Sequence, residues 1–364
     1  MRILHVITSL RTGGAEKFVT DLCPRLKSSE CEVEICSFDS TPTNFSKIIN
    51  EYGIKIHTFH DGLSGIYNPM NIWRLYRLIR KGNYDIVHTH NFAPQLFAAI
   101  SNIFIKTHLV TTEHSTSNRR RTWKWYKTID RWMFRQYDSV ICVSDQCLKN
   151  HTEHIKEKSS KNACVIYNGI DYNKYSTSTP ASDILNIGAK KITNVASYSA
   201  PKDQPTLIKA MTYLPNEFHL CLVGDGIRRN EYKDLIMHLG LTERVHLIGI
   251  RSDISNILAA SDYIVMCSHY EGLSLSSLEG MASGKPFLAD NVDGLREIVK
   301  GYGVLFEHND SKGFADAIMR LENNPELKNS IIKACQEKAY KYDINNVVNN
   351  YTDLYNKILH KNKA

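Results

Sequence analysis

The chain lacks any apolar run long enough to cross a bilayer. A spanning helix needs about 20 such residues, and the nearest stretch, Leu96–Ile105, is short and interrupted by Ser101 and Asn102. It also lacks a C-x-x-C pair. Its nine cysteines (Cys23, Cys31, Cys36, Cys142, Cys147, Cys164, Cys221, Cys267 and Cys335) are scattered and odd in number, which argues against a disulfide framework and for reduced thiols. The opening Met1–Ile7 has too brief an apolar core for a signal peptide and no small-residue cleavage site after it, so it reads as a first β-strand in a cytoplasmic protein. No Walker A loop, G-x-G-x-x-G fingerprint or D-x-D motif occurs. The usual sequence signals for P-loop, dinucleotide and Mg²⁺–nucleotide sites are therefore missing.

What is present is an ordinary globular composition, 42% hydrophobic and 23% charged, in a length of 364 residues that implies two or three domains. Short runs rich in β-branched residues alternate with helical patterns. Ile3–Ile7, Val33–Phe38, Ile86–His88, Leu109–Thr112, Ser139–Val143 and Ala163–Tyr167 read as strands, with helices such as Ala15–Lys27, Met70–Lys81 and Trp123–Tyr137 between them. The Ser/Thr/Asn-rich Tyr172–Asp183 segment with Pro180 breaks the pattern as a linker. Alternation then resumes with Lys191–Ala196, His219–Val223, Val245–Ile248, Tyr263–Cys267 and Pro286–Ala289. The expectation is two doubly wound α/β domains facing a cleft: residues 1–172, a linker at 173–188, a second domain at 189–343, and a C-terminal helix with a basic tail at 344–364. The spacing of Val347, Val348, Tyr351, Leu354, Tyr355 and Ile358 makes that last helix amphipathic.

Four constellations fall at strand ends. Gly13-Gly14-Ala15-Glu16 follows the first strand and opens a helix, where glycine lets backbone approach a phosphate and free N–H groups bind anions; a Gly-Gly turn also serves as a plain tight connection. Thr111-Thr112-Glu113-His114 puts a histidine at a strand tip, able to donate to a sugar hydroxyl or to remain a satisfied surface side chain. In the same histidine-bearing group, His88-Thr89-His90 on the preceding strand offers two ligands on one face but no third at a recognisable spacing, a poor zinc site. Lys202 follows a later strand, where an ammonium can neutralise a diphosphate without a metal. The fourth is Glu271-Gly272-Leu273-Ser274-Leu275-Ser276-Ser277-Leu278-Glu279: two carboxylates eight residues apart around a small-residue helix start. Such a start holds phosphates, and the two glutamates can reach opposite ends of a nucleotide-sugar. The bland alternative is a capped helix with two exposed acids.

Taken together, the Gly-Gly loop, Glu113-His114, Tyr167-Asn168-Gly169-Ile170-Asp171, Lys202, Leu222–Gly226, the E-x7-E element and Gly294–Glu297 resemble the retaining family-4 glycosyltransferases of the GT-B fold, over essentially the whole chain. The resemblance implies that Gly13, Gly14 and Asn168 help bind the donor, that His114 sits near its sugar, and that Lys202 pairs its diphosphate. It implies further that Glu271 with Gly272, Leu273 and Ser274 holds sugar and phosphate, and that Glu279 accepts the ribose hydroxyls. No metal or other cofactor is implied; the donor favoured is a UDP-sugar, carrying a hexosyl or N-acetylhexosaminyl group. The acceptor is a glycan or lipid-linked glycan of surface polysaccharide synthesis. One departure stands out: Ser197 occupies the place where many members carry an arginine, a second diphosphate cation. A GT-B-like nucleotide-sugar 2-epimerase and a nucleotide-sugar-binding protein without turnover are the competing readings.

The net charge of +7 is modest but clustered. Arg119, Arg120, Arg121, Trp123, Lys124 and Lys127 open a basic, aromatic stretch that continues to Arg135. Three readings apply: a helix lying peripherally on the anionic inner face of the cell membrane, a core-packed helix with a solvated basic face, or a nucleic-acid contact. The last is disfavoured by the modest charge and missing motifs.

Overall fold

The computed structural model describes residues 1–11, 13–28, 30–60, 62–114, 126–155, 162–271 and 274–360. They form two compact units, Met1–Gly169 with Ile344–Ala364 and Ile170–Asp343.

Unit 1 is built on seven parallel strands: β1 (Arg2–Ile7), β2 (Glu32–Asp39), β3 (Ile56–His60), β4 (Ile86–His90), β5 (His108–Glu113), β6 (Ser139–Cys142) and β7 (Ala163–Val165). Their order is β3-β2-β1-β4-β5-β6-β7. The inner strands β1, β4 and β5 are buried on both faces rather than on alternate residues because helices cover both sides of the sheet, so the polar side chains they carry are buried too. Ile3, for example, is buried between Val33 and Ile86 on its two neighbours. The helices are α1 (Gly14–Leu26), α2 (Asn44–Glu51), α3 (Met70–Gly82), α4 (Phe92–Ile105), α5 (Tyr126–Phe134) and α6 (Asp145–Ile155). Thr43 and Ser46 close a capping box at the start of α2. Asn83 and Lys106, both with left-handed backbone, end α3 and α4.

Unit 2 repeats the scheme with six parallel strands: β8 (Lys190–Val195), β9 (Phe218–Val223), β10 (Val245–Gly249), β11 (Tyr263–Met266), β12 (Phe287–Asp290) and β13 (Val304–Phe306), in the order β10-β9-β8-β11-β12-β13. Its helices are α7 (Tyr172–Ser176), α8 (Ser182–Leu185), α9 (Gln204–Ala210), α10 (Arg229–His238), α11 (Ile254–Ala260), α12 (Leu275–Ala282), α13 (Leu295–Val299), α14 (Ser311–Glu322) and α15 (Pro325–Tyr340). The chain then returns to unit 1 as α16 (Ile344–His360), which buries Ile344, Val347, Tyr351, Tyr355 and Ile358 along one stripe against α1 and the sheet.

Two strands escape the sequence pattern. β3 and β13 are sheet edges: β3 is only partly buried and mixes polar with apolar residues, and β13 is apolar but only three residues long, so neither carries a run on which strand reading depends. The segment read as a linker at 173–188 is folded: α7 and α8 bury Tyr175 and Ile184 in unit 2. The unit boundary falls before it, at Ile170, whose side chain is fully buried in the unit-2 core. No helix among the described residues is long and apolar enough to cross a membrane.

In both sheets the strand order reverses once, between β1 and β4 in unit 1 and between β8 and β11 in unit 2. Ligands of such sheets bind outside the carboxyl ends of the strands at that reversal.

Candidate active site

At the unit-2 reversal, the loop after β8 lies against the loop after β11. Lys202 and Ser268 form a bridge there, and the His269 amide donates to the Pro201 carbonyl at 2.8 Å. That pairing brings the Lys202 ammonium onto the Glu271 carboxylate as a hydrogen-bonded ion pair, each side chain about one-sixth exposed. Gly272 and Leu273 lie outside the described residues; the next residue, Ser274, caps α12 by accepting from the Ser277 amide at 3.3 Å. Glu279 lies on α12 and is buried.

The loop after β9 completes the rim. Gly224 and Gly226 have φ of 138° and 159°, and a Cβ at either would come within 2.1 Å of the Ala196 carbonyl or 2.4 Å of the Tyr198 carbonyl. These glycines therefore serve the close approach of two loops. The approach delivers Arg228, which sequence reading passed over while searching for a third glycine. Its Nη1 donates to the Lys202 carbonyl at 3.2 Å, and its other nitrogens hold Glu231. At the position of the expected arginine, Ser197 instead shares a hydrogen bond with Ser199 at 2.9 Å. A guanidinium is thus present at the lysine loop, from a different strand.

Beneath this rim lies a buried acid–thiol cluster that no motif announced. The Cys267 thiol donates to Asp290 Oδ1 at 3.0 Å and lies 3.8 Å from Asp203 Oδ2. His308 Nδ1 is 3.2 Å from Asp290 Oδ2, and its Nε2 is 3.1 Å from His269 Nδ1. Burial pushes the Asp290 carboxyl up to about 6, and burial with the two neighbouring acids pushes the Cys267 thiol well above its ordinary range.

The unit-1 reversal is built from imidazoles. His5 on β1, His88 and His90 on β4, and His114 just after β5 are brought together by the register of three adjacent strands. His5 Nδ1 is 3.0 Å from His90 Nε2, and His90 Nδ1 is 2.9 Å from His114 Nε2. His88 is held between Thr112 Oγ1 at 2.8 Å and the Tyr355 hydroxyl of α16 at 2.6 Å. Nitrogens of His5, His88 and His90 lie within 4.8 Å of one another, but the closest pair is joined by a hydrogen bond and both ring nitrogens of His88 are satisfied without a metal. Burial drives His5 down to about 3 and His114 down to about 4, and His88 and His90 well below the ordinary imidazole range. All four are neutral at pH 7. Buried His114 Nδ1 and His5 Nε2, the two ends of the chain, have no partner among the described residues.

Gly13 and Gly14 begin α1 with no left-handed φ; a Cβ at Gly13 would come within 2.1 Å of the Glu16 carboxylate, the far end of a flexible side chain, and one at Gly14 would meet nothing within 4 Å. The fold itself does not require glycine at position 14. Asn168 is buried, and its Oδ1 has no partner among the described residues. Of the basic–aromatic run, Arg119, Arg120, Arg121, Trp123 and Lys124 lie outside the described residues. Lys127 is half-buried on α5, a helix that buries Met133 and Phe134 in the unit-1 core.

Two family models match: Glycosyltransferase Family 4 over residues 12–174 and Glycosyl transferases group 1 over residues 180–338. The chain is 26% identical to the Escherichia coli UDP-Gal:alpha-D-GlcNAc-diphosphoundecaprenol alpha-1,3-galactosyltransferase, covering 98% of this chain and 96% of that protein. It is 25% identical to the Bacillus anthracis N-acetyl-alpha-D-glucosaminyl L-malate synthase over 80% of this chain and 79% of that one. Its fold matches the crystal structure of Anabaena Alr3699/HepE in complex with UDP and glucose at a TM-score of 0.83, with 23% identity, 98% of this chain and 100% of that one covered. With both halves matched in order and the whole fold superposable, the chain belongs to the family-4 glycosyltransferases of the GT-B fold.

Proposed function

We propose that this glycosyltransferase moves a hexosyl or N-acetylhexosaminyl group from a UDP-sugar to a glycan or lipid-linked glycan in cell-surface polysaccharide synthesis, with retention. The observation that carries the reading is the Lys202–Glu271 ion pair at the unit-2 strand reversal, beside the capped start of α12 and Glu279. Diphosphate oxygens compete with Glu271 for the ammonium. Once they take it, the Glu271 carboxylate is free to accept from sugar hydroxyls. The N-terminus of α12 and the Arg228 guanidinium supply further positive charge, so the leaving diphosphate is stabilised without calling on a metal. Glu279 accepts the ribose hydroxyls, and Gly272, Leu273 and Ser274 bind through backbone. The E. coli relative, named for a UDP-galactose donor and a diphosphoundecaprenol acceptor, supports the donor class and a lipid-linked acceptor.

In unit 1, His114 is the group assigned to the sugar, with Gly13, Gly14 and Asn168 as donor contacts. Neutral His114 positions and hydrogen-bonds rather than contributing a fixed charge. The acceptor hydroxyl attacks on the face the phosphate leaves, and the departing phosphate takes its proton; the protein supplies orientation and charge. A peripheral membrane contact through residues 119–124 and Lys127 belongs to the same reading. Incubation with labelled UDP- and GDP-sugars plus membrane extract tests it. Release of nucleotide only when acceptor is present supports transfer. Isomerised sugar supports an epimerase, and tight binding with neither outcome supports a binding protein.

A further inference from the structure

The imidazoles of unit 1 cannot choose their tautomers one at a time. His5 Nδ1 lies 3.0 Å from His90 Nε2, and His90 Nδ1 lies 2.9 Å from His114 Nε2. At each contact two ring nitrogens meet, so one must donate and the other accept. The three rings are neutral, because burial disfavours the charged form, and each therefore carries a single N–H. Three protons shared over two contacts leave only two arrangements of the whole chain. In the first, every ring is protonated on Nδ1: His5 donates to His90, His90 donates to His114, and His114 Nδ1–H is left over. In the second, every ring is protonated on Nε2: both bonds reverse, and His5 Nε2–H is left over.

The two ends of the chain distinguish these arrangements. His5 is fully buried, and its Nε2 has no partner among the described residues. A buried N–H with no acceptor is among the rarest defects of folded proteins, whereas an under-used acceptor is better tolerated. His114 stands at the other end, just past β5, and is only partly buried, so a hydrogen on its Nδ1 can be met by a ligand. His88 does not interrupt the chain. Its two nitrogens are held by Thr112 and Tyr355, and its ring stacks on His90 with centroids 4.5 Å apart.

Building on His114 as the sugar-facing group, we propose that His90 and His5 are positioning residues for it. They hold His114 in the Nδ1–H form, a hydrogen-bond donor with no lone pair to offer at that atom, and so select a donor sugar that places an oxygen acceptor there. A sugar carrying an ammonium group at the same point brings a second donor and leaves both unpaired. His5 acts from two strands away, by giving its N–H to His90 and so leaving His90 Nδ1 to donate onward.

Nitrogen-15 NMR of the full chain with labelled histidine reads the tautomers directly, in the absence of donor. His5, His90 and His114 are expected in the Nδ1–H form at pH 7. His90→Phe breaks the chain and should let His114 relax to a mixture of tautomers. His90→Asn, whose amide nitrogen takes the place of Nδ1, should restore the Nδ1–H form. In steady-state assays His90→Phe should lower kcat by about ten-fold, the scale of one lost hydrogen bond, with UDP affinity unchanged. His90→Asn should recover most of that loss. Combined with His114→Ala, His90→Phe should cost nothing further, since both act through one group. Nε2–H rings in the native chain, an unaltered His114 tautomer in His90→Phe, or losses that multiply in the double variant would overturn the proposal. The spectrum is read without donor, so the tautomer result is separate from the sugar assignment, which full activity of the His114→Ala variant would sink.

Discussion

The two units share a topology and place opposite chemistry at the same point of it. Where unit 1 reverses its strand order it buries neutral imidazoles from β1, β4 and the end of β5, joined nitrogen to nitrogen. Where unit 2 reverses, it holds a lysine–glutamate pair at the rim and two carboxylates with a thiol below. A doubly wound sheet therefore supplies a location without dictating the chemistry. On the proposed reading, charge for the diphosphate comes from unit 2 and uncharged hydrogen-bonding groups come from unit 1. Substitutions in the two units should consequently differ in kind.

Removing the ammonium should do the most damage. Lys202→Ala is expected to cut kcat/KM for transfer by about 10²–10³, the usual scale for losing a group aimed at developing charge, with little change in melting temperature. Retained transfer in steady-state assays would show that the ion pair is structural.

Acid separates the units next. His5, His88, His90 and His114 have lowered folded-state values, so below about 6.5 the unfolded chain takes up protons that folded unit 1 refuses. Stability is then present above that pH and lost as pH falls, by about 1.4 kcal/mol per pH unit for each such histidine. Asp290, raised to about 6, acts in the other sense: its contribution is favourable at low pH and is lost as pH rises from about 4 through 6. Hydrogen exchange read by mass spectrometry between pH 7 and 4.5 should show unit 1 losing protection first. Earlier loss in unit 2 would contradict the neutral-imidazole account.

Smaller effects sharpen the division of labour. His114→Ala should lower kcat about ten-fold while UDP affinity barely moves, since its side chain carries no charge to the diphosphate. Arg228→Ala should weaken UDP several-fold in a calorimetric titration, because it removes the guanidinium that stands in for the one missing at Ser197; unchanged affinity would return that role to Lys202 alone.

Much of the architecture was legible because parallel sheets write themselves as apolar runs, and Lys202, Glu271 and Glu279 carried a motif. The edges were not legible, β3 because it is short and half-solvated and β13 because it is only three residues long. The folding of 173–188 was hidden by its polar composition, which overrode two buried anchors, Tyr175 and Ile184. Arg228 was missed because it reaches Lys202 only through the loop packing at Gly224 and Gly226, and the Asp203–Cys267–Asp290 cluster because its members come from the ends of three strands that only the sheet order makes neighbours. His5 and His90 were missed as a chain with His114 for the same reason: strand register, not sequence spacing, joins them.

The most direct test of the central claim is isothermal titration of UDP into the native chain and into Glu279→Gln. A carboxylate that accepts both ribose hydroxyls is worth about 1.5–3 kcal/mol, so the account predicts at least a ten-fold weaker Kd for the variant at unchanged melting temperature. Equal affinity in the two proteins would contradict the assignment of the α12 element as the nucleotide site.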